Sequence, residues 1–145
     1  MSNPTDSLHD RIAQSFARQG MLLTLGAELR SVAPGVVEIW LPYADRVTQQ
    51  QGGFHGGAMG TLADVAGGYA GLTVAPDGME VVTVEYKINF LTSFKGGTLR
   101  AVGRVVRPGK RLIITTAEVT HVDADGKESP CALMQQTLAP VPKVY

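Results

Sequence analysis

Cysteine is almost missing. Cys131 is the single thiol among 145 residues, so no intrachain disulfide forms and no zinc cluster can be assembled. Charge of one sign is missing too: thirteen basic and thirteen acidic residues cancel. A dedicated nucleic-acid binder normally carries a basic surplus. No apolar run approaches the length that crosses a bilayer. Residues 1–10 are polar and lack the basic-then-apolar order of a secretory signal. These absences lead us to expect a soluble, cytoplasmic protein. His9, His55 and His121 have no metal-ligand spacing. The 123–126 segment Asp-Ala-Asp-Gly lacks the remaining ligands of a calcium loop and reads as a turn. No phosphate-binding glycine fingerprint follows a strand, and neither Ser93 nor Ser129 sits in a nucleophile elbow. We therefore expect neither a metal nor a cofactor.

What is present is an ordinary apolar fraction, 44%, and an unusual amount of glycine, 17 residues unevenly placed. The length suits one domain, residues 1–145, with a core that needs no staples. The spacing of Leu8, Ile12 and Phe16 predicts a helix within residues 1–20, capped by Asp6. Strands are predicted over 21–32 and 36–41, followed by a polar loop over 43–54. A long helix is predicted from Gly56 to about Val74. Four strands follow, over 80–91, 98–107, 111–122 and 128–138, with connections short enough for an antiparallel meander. Pro108-Gly109 suits a type II turn. The class is α+β, one antiparallel sheet with a long helix on one face. In the strand over 81–91, Val82, Val84, Tyr86, Ile88 and Phe90 alternate onto one face, expected to be buried. Thr83, Glu85, Lys87 and Asn89 take the other.

The long helix carries the functional signal. Ala58, Leu62, Val65, Tyr69 and Leu72 form an apolar stripe expected on the sheet. Gly57, Gly60, Thr61, Asp64, Gly67, Gly68 and Gly71 form the other face. Interior helical glycine costs about 1 kcal/mol relative to alanine, so a stripped face implies close approach by a ligand or a partner helix. Asp64 is the one ionisable group on it, and a carboxylate in such a place is paired or used. His55-Gly56-Gly57 opens the helix, where free N–H groups and the helix dipole can hold a carbonyl oxygen. A donor of that kind and a carboxylate able to activate water are the minimum equipment of acyl hydrolysis. His55 itself reads either as a base or as a ring that locks the turn. Gln49, Gln50 and Gln51 lie upstream and can position water or substrate, or face solvent. Arg104, Arg107, Lys110 and Arg111 straddle a hairpin tip, as a solvated turn or as a seat for phosphates. Cys131 reads as a buried small apolar residue.

Gln49-x-x-Gly52-x-x-His55-Gly56-Gly57 followed by Leu62-Ala63-Asp64 resembles the signature of the hotdog-fold acyl-CoA thioesterases, most nearly their PaaI-like (phenylacetic acid degradation protein) branch. The strand over 82–91 and the hairpin over 103–110 resemble that branch as well. The resemblance implies a curved antiparallel sheet wrapped around a long central helix. It also implies dimers, commonly paired into tetramers, with active sites between protomers. By the same resemblance Asp64 delivers water to the thioester carbon as base or nucleophile. The Gly57 N–H, with Gly56 beside it, polarises the carbonyl. Gln49 stands where Asn is usual, and Thr83 assists the water from the partner protomer. Arg107, Lys110 and Arg111 meet the coenzyme A phosphates, coenzyme A entering only as part of the substrate. Two other activities fit the same fold, a hydratase or dehydratase and a non-catalytic acyl-CoA-binding module.

Overall fold

A computed structural model describes residues 4–145, with side chains from Ser7 onward. Two helices, α1 (Pro4–Ala17) and α2 (Gly20–Leu25), precede strands β1 (Glu28–Ala33) and β2 (Val36–Pro42). A 3-10 turn (Asp45–Val47) leads to the long helix α3 (Gly56–Leu72). Strands β3 (Met79–Phe90), β4 (Thr98–Pro108), β5 (Ile113–Val122) and β6 (Glu128–Pro142) complete the chain. All pairings are antiparallel in one six-stranded sheet, ordered β1-β2-β4-β5-β6-β3. The sheet curls around α3, which touches five of its six strands. This is the hotdog arrangement.

Four expectations change. Residues 20–25 are helical, not the start of a strand. Gly26 ends α2 in the left-handed region (φ 84°), its N–H closing onto Leu22 and Leu23 carbonyls. Leucine and methionine are good helix formers, and α2 buries Leu22 while Met21 and Leu23 stay exposed. Helix α1 begins at Pro4, so Asp6 falls inside its first turn rather than at the cap. Its side chain, like residues 1–3, lies outside the described residues. The four-strand meander is a three-strand one: β3 pairs with β6, not β4, and the chain crosses from one sheet edge to the middle between them. Gly109 is not among the residues with positive φ, so Pro108-Gly109 is no type II turn. Glycine is required there because a Cβ would sit 2.3 Å from the Leu112 carbonyl oxygen.

The helix faces also differ from expectation. Gly67 and Gly71 turn toward the sheet, where a Cβ would meet Gln136 and Leu138, each at 2.3 Å. The C-terminal half of the glycine face is thus where β5 and β6 close at Gly67 and Gly71, while Gly60 meets the Tyr86 hydroxyl of β3 and Gly68 is open; Tyr69 and Val65 look toward α1. Gly103 of β4 makes the tightest approach: a Cβ would lie 2.2 Å from the Ala66 carbonyl oxygen. Backbone cannot yield as a side chain does. Gly103→Ala is expected to cost about 3 kcal/mol, seen as a drop of about 10 °C in a thermal melt at fixed protein concentration.

Candidate active site

Asp64 sits in the third turn of α3, facing β3. Its Oδ1 accepts a hydrogen bond from Thr83 Oγ at 2.7 Å and a second from Gln136 Nε2. Gln136 Nε2 also approaches the Asp64 carbonyl oxygen and Thr83 Oγ, both at 3.1 Å. The amide's other end, Oε1, accepts from Thr115 Oγ at 2.8 Å. Both donors recorded for the carboxylate converge on Oδ1. Among the described residues no protein donor meets Oδ2.

Thr83 reaches Asp64 because β3 is bulged. The ladder to β6 pairs Thr83 with Leu138, skips Val84, and resumes with Glu85 opposite Thr137. A bulge reverses the alternation of the residues beyond it. Thr83 consequently shares the helix-facing side with Tyr86, Ile88 and Phe90, and Val82 and Val84 point away. The expectation that Thr83 and Tyr86 lie on opposite faces is corrected. So is a buried apolar face on this strand: Val84 is 60%, Tyr86 43% and Phe90 52% exposed in the single chain, because β3 is an edge of the sheet. Thr83, expected to act from a partner, binds the Asp64 of its own chain.

The residues at the start of α3 form a separate group. His55 is the N-cap, and its Nδ1 accepts from the Gly57 N–H at 2.7 Å. Its neutral ring therefore carries its proton on Nε2. His55 N–H binds the Val47 carbonyl oxygen at 2.8 Å, tying the cap to the preceding loop. The geometry matches the loop-locking reading of His55. Gln49 occupies that loop, its Oε1 accepting from the Gln51 N–H and its own N–H reaching the Gly53 carbonyl oxygen at 2.9 Å. Its Nε2 is left for other partners. The Gly57 N–H, expected to hold a carbonyl, is engaged by the His55 ring. Among the described residues the Gly56 N–H meets no protein acceptor. Gly57 and Asp64 are seven residues apart, so their groups are separated by about 10 Å along the helix axis.

Beside Asp64 opens a cavity of about 890 Å³. Asp64, Val65, Gly68 and Tyr69 form its α3 side, Glu80, Val81 and Thr83 its β3 side, and α1 the wall opposite. Tyr69 hydroxyl accepts from Gln19 Nε2 at 2.7 Å and shares a bond of 2.9 Å with Ser15 Oγ, fixing α1 to α3. Burial raises the Tyr69 phenol above its ordinary range, so it remains a neutral hydroxyl. Arg107, Lys110 and Arg111 are exposed at the β4–β5 hairpin and do not line this cavity. The hairpin leaves the sheet on the row Pro108–Ile113–Leu138–Thr83, with Ile113 two strands, or about 10 Å, from Thr83. Cys131 is buried as expected, and burial pushes its thiol up to about 11.

Sequence reasoning missed Gln136 and Thr115. The signal was available: Met134, Gln136 and Leu138 alternate onto one side of β6, and Ile113, Thr115 and Ala117 do so on β5. A polar residue in each series breaks an apolar face.

The profile of the thioesterase superfamily matches residues 51–126. A candidate esterase of Saccharolobus solfataricus is 37% identical over 103 residues, covering 71% of each chain. The solved structure of a thioesterase family protein from Silicibacter pomeroyi is 37% identical, with a TM-score of 0.90, and the match covers 94% of this chain and 99% of that one. The E. coli PaaI protein, from the phenylacetic acid degradation operon, shares the fold at 22% identity, with a TM-score of 0.84 over 98% of this chain and 99% of its own. With its helix-opening His-Gly-Gly, its hydrogen-bonded Asp64 beside the cavity and this fold, the chain belongs to the thioesterase superfamily and is a thioester hydrolase of the hotdog class.

Proposed function

We propose that the protein hydrolyses an acyl-CoA thioester, with an aryl or a short-to-medium aliphatic acyl group, to the free acid and coenzyme A. The observation that carries this reading is the Asp64 carboxylate at the edge of an 890 Å³ cavity, one oxygen held and the other unencumbered. Oδ2 takes a proton from a water whose oxygen bonds to the thioester carbon. The carbonyl becomes an oxyanion, then re-forms as the C–S bond breaks. The leaving thiolate recovers the proton, and Asp64 is again a carboxylate. Thr83 has given its hydroxyl proton to Asp64, so toward the water it can only accept.

The oxyanion needs donors, and the first turn of α3 has them: the Gly56 N–H, and the Gly57 N–H once a substrate oxygen displaces the His55 ring. Within one chain they stand about 10 Å from Asp64 along the axis, too far to flank one carbonyl. Two antiparallel copies of α3 bring one chain's first turn beside the other's Asp64. The free edge of β3, with Tyr86 and Phe90 half exposed beside the first turns of α3, is the surface on which such a copy would pack. We therefore assign the active form to a homodimer or a multiple of it, each site combining Asp64 and Thr83 of one protomer with Gly56, Gly57 and Gln49 of the other.

The testing experiment is thiol release from a panel of aryl- and alkyl-CoA esters. The raised Cys131 thiol keeps the protein's own background low at neutral pH. Release with a clear acyl preference supports the reading. No release from any ester by a folded, assembled protein overturns it. Each acyl group is also offered as its pantetheine thioester, which lacks the nucleotide. The double variant Arg107→Ala, Lys110→Ala is expected to raise KM for the CoA ester by about tenfold and leave the pantetheine ester unchanged. An equal change for both would remove these residues from phosphate binding.

A further inference from the structure

We infer that Gln136 is a positioning residue for the Asp64 carboxylate and that Thr115 in turn holds Gln136. The inference rests on the proposed role of Asp64 and extends it to two residues that touch no substrate.

Gln136 is 1% and Thr115 0% exposed. They are direct cross-strand partners on β6 and β5, both facing α3. A carboxylate offers only acceptors, so the amide must present its N–H to Asp64 and its oxygen to Thr115. Thr115 thereby fixes which way the amide points. The chain runs Thr115 hydroxyl to Gln136 oxygen at 2.8 Å, then Gln136 Nε2 to Asp64 Oδ1, with Thr83 donating to the same oxygen at 2.7 Å. Two donors on Oδ1 pin the carboxylate plane and concentrate charge-assisted bonding on that oxygen, leaving Oδ2 to the water. Gly67 belongs to the same device. A Cβ there would lie 2.3 Å from Gln136 Oε1 and 2.8 Å from Thr115 Oγ. The glycine lets a polar pair occupy the space between helix and sheet. A merely structural requirement would be met more cheaply by apolar side chains, since a buried amide is costly unless every partner is in place.

The test uses the full-length assembled protein. Gln136→Leu removes the N–H at similar volume. Its kcat is expected to fall about 30-fold with KM within about twofold. The other charged groups around the cavity are Asp10 and Arg11 from α1, Arg18 just beyond it, Glu80 from β3 and Lys143 after β6. The substitution leaves all of them in place. Thr115→Val should reproduce the loss of kcat in smaller degree, and Thr115→Ser, which keeps the hydroxyl, should restore wild-type behaviour. An unchanged kcat, a KM that rises in step with the loss of kcat, or loss of kcat only in step with loss of assembled protein, overturns the inference. If Gln136→Leu does not fold, the Thr115 pair decides by the same criteria. A wild type without thioesterase activity would instead refute the reading of Asp64, and an active wild type with a dead Asp64→Asn and an unaffected Gln136→Leu would refute only this step.

Discussion

Asp64→Asn is expected to lower kcat about a thousandfold, near 4 kcal/mol of barrier, while the melting temperature and assembly stay as in the wild type. The reason lies in how the side chain is held. An asparagine can keep its oxygen under Thr83 Oγ and Gln136 Nε2, where Asp64 keeps Oδ1. Its amide nitrogen then replaces Oδ2, the atom assigned to the water. Shape and anchoring survive, and the basic atom does not. KM should change little, because the substrate gains its contacts from the cavity walls. Acyl-CoA mixed with the variant in excess should show thiol release at the slow rate from the first turnover, without a burst. Near-normal turnover would remove Asp64 from the chemistry and leave the fold with a binding role.

Phe90→Lys is the second large effect, and it acts on assembly. Phe90 lies over Gly56, a Cβ there falling 3.4 Å from its ring, yet the ring is half exposed in the single chain. Together with Tyr86 it overhangs the glycine-rich first turns of α3. A second copy packed on β3 would cover both. Burying a phenylalanine side chain is worth about 1.5–3 kcal/mol, and a two-fold interface counts each substitution twice. Adding an unpaired ammonium brings the expected loss to about 5 kcal/mol or more, several thousandfold in dissociation constant. Light scattering should find monomers at micromolar concentration. Turnover should be lost with them, although Asp64, Thr83 and Gln136 are untouched. Raising the protein concentration should recover part of the activity. A fully active monomer would place the whole site within one chain and overturn the two-protomer assignment.

The long helix, its cap and the placement of its carboxylate were legible in the sequence because they depend on local pattern. Gly56 to Leu72 is periodic, the cap residue His55 stands next to it, and Asp64 is its one charged side chain. The glycines were legible as a sign of close approach but not of what approaches. Gly67 makes room for Gln136, sixty-nine residues away along the chain, and no spacing rule connects the two. The face of β3 was misread for a similar reason. Alternation assumes an unbroken ladder, and the extra residue Val84 is visible only against β6. Strand order escaped because short connections make adjacency the natural expectation, whereas residues 91–97 carry the chain across the sheet. Residues 21–25 read as a strand because a short apolar run is equally compatible with either state. The αL glycine Gly26, whose N–H closes the last turn, settles the matter.

The cavity wall formed by α1 has a different standing from the rest of the site. The superfamily profile covers residues 51–126, which include Asp64, Thr83 and Thr115, and α1 ends at Ala17. On the reading proposed above, the groups that act on the thioester and the helical wall opposite them lie on separate stretches of chain, joined through the Tyr69 hydroxyl and its bonds to Ser15 and Gln19. Variation at Arg11 or Gln14 of α1, or at Arg18 just beyond it, can reshape what the cavity accepts without disturbing the Asp64 anchorage. A lineage of such enzymes can thus drift in substrate by rewriting one peripheral helix, while the hydrolytic half of the site is inherited intact.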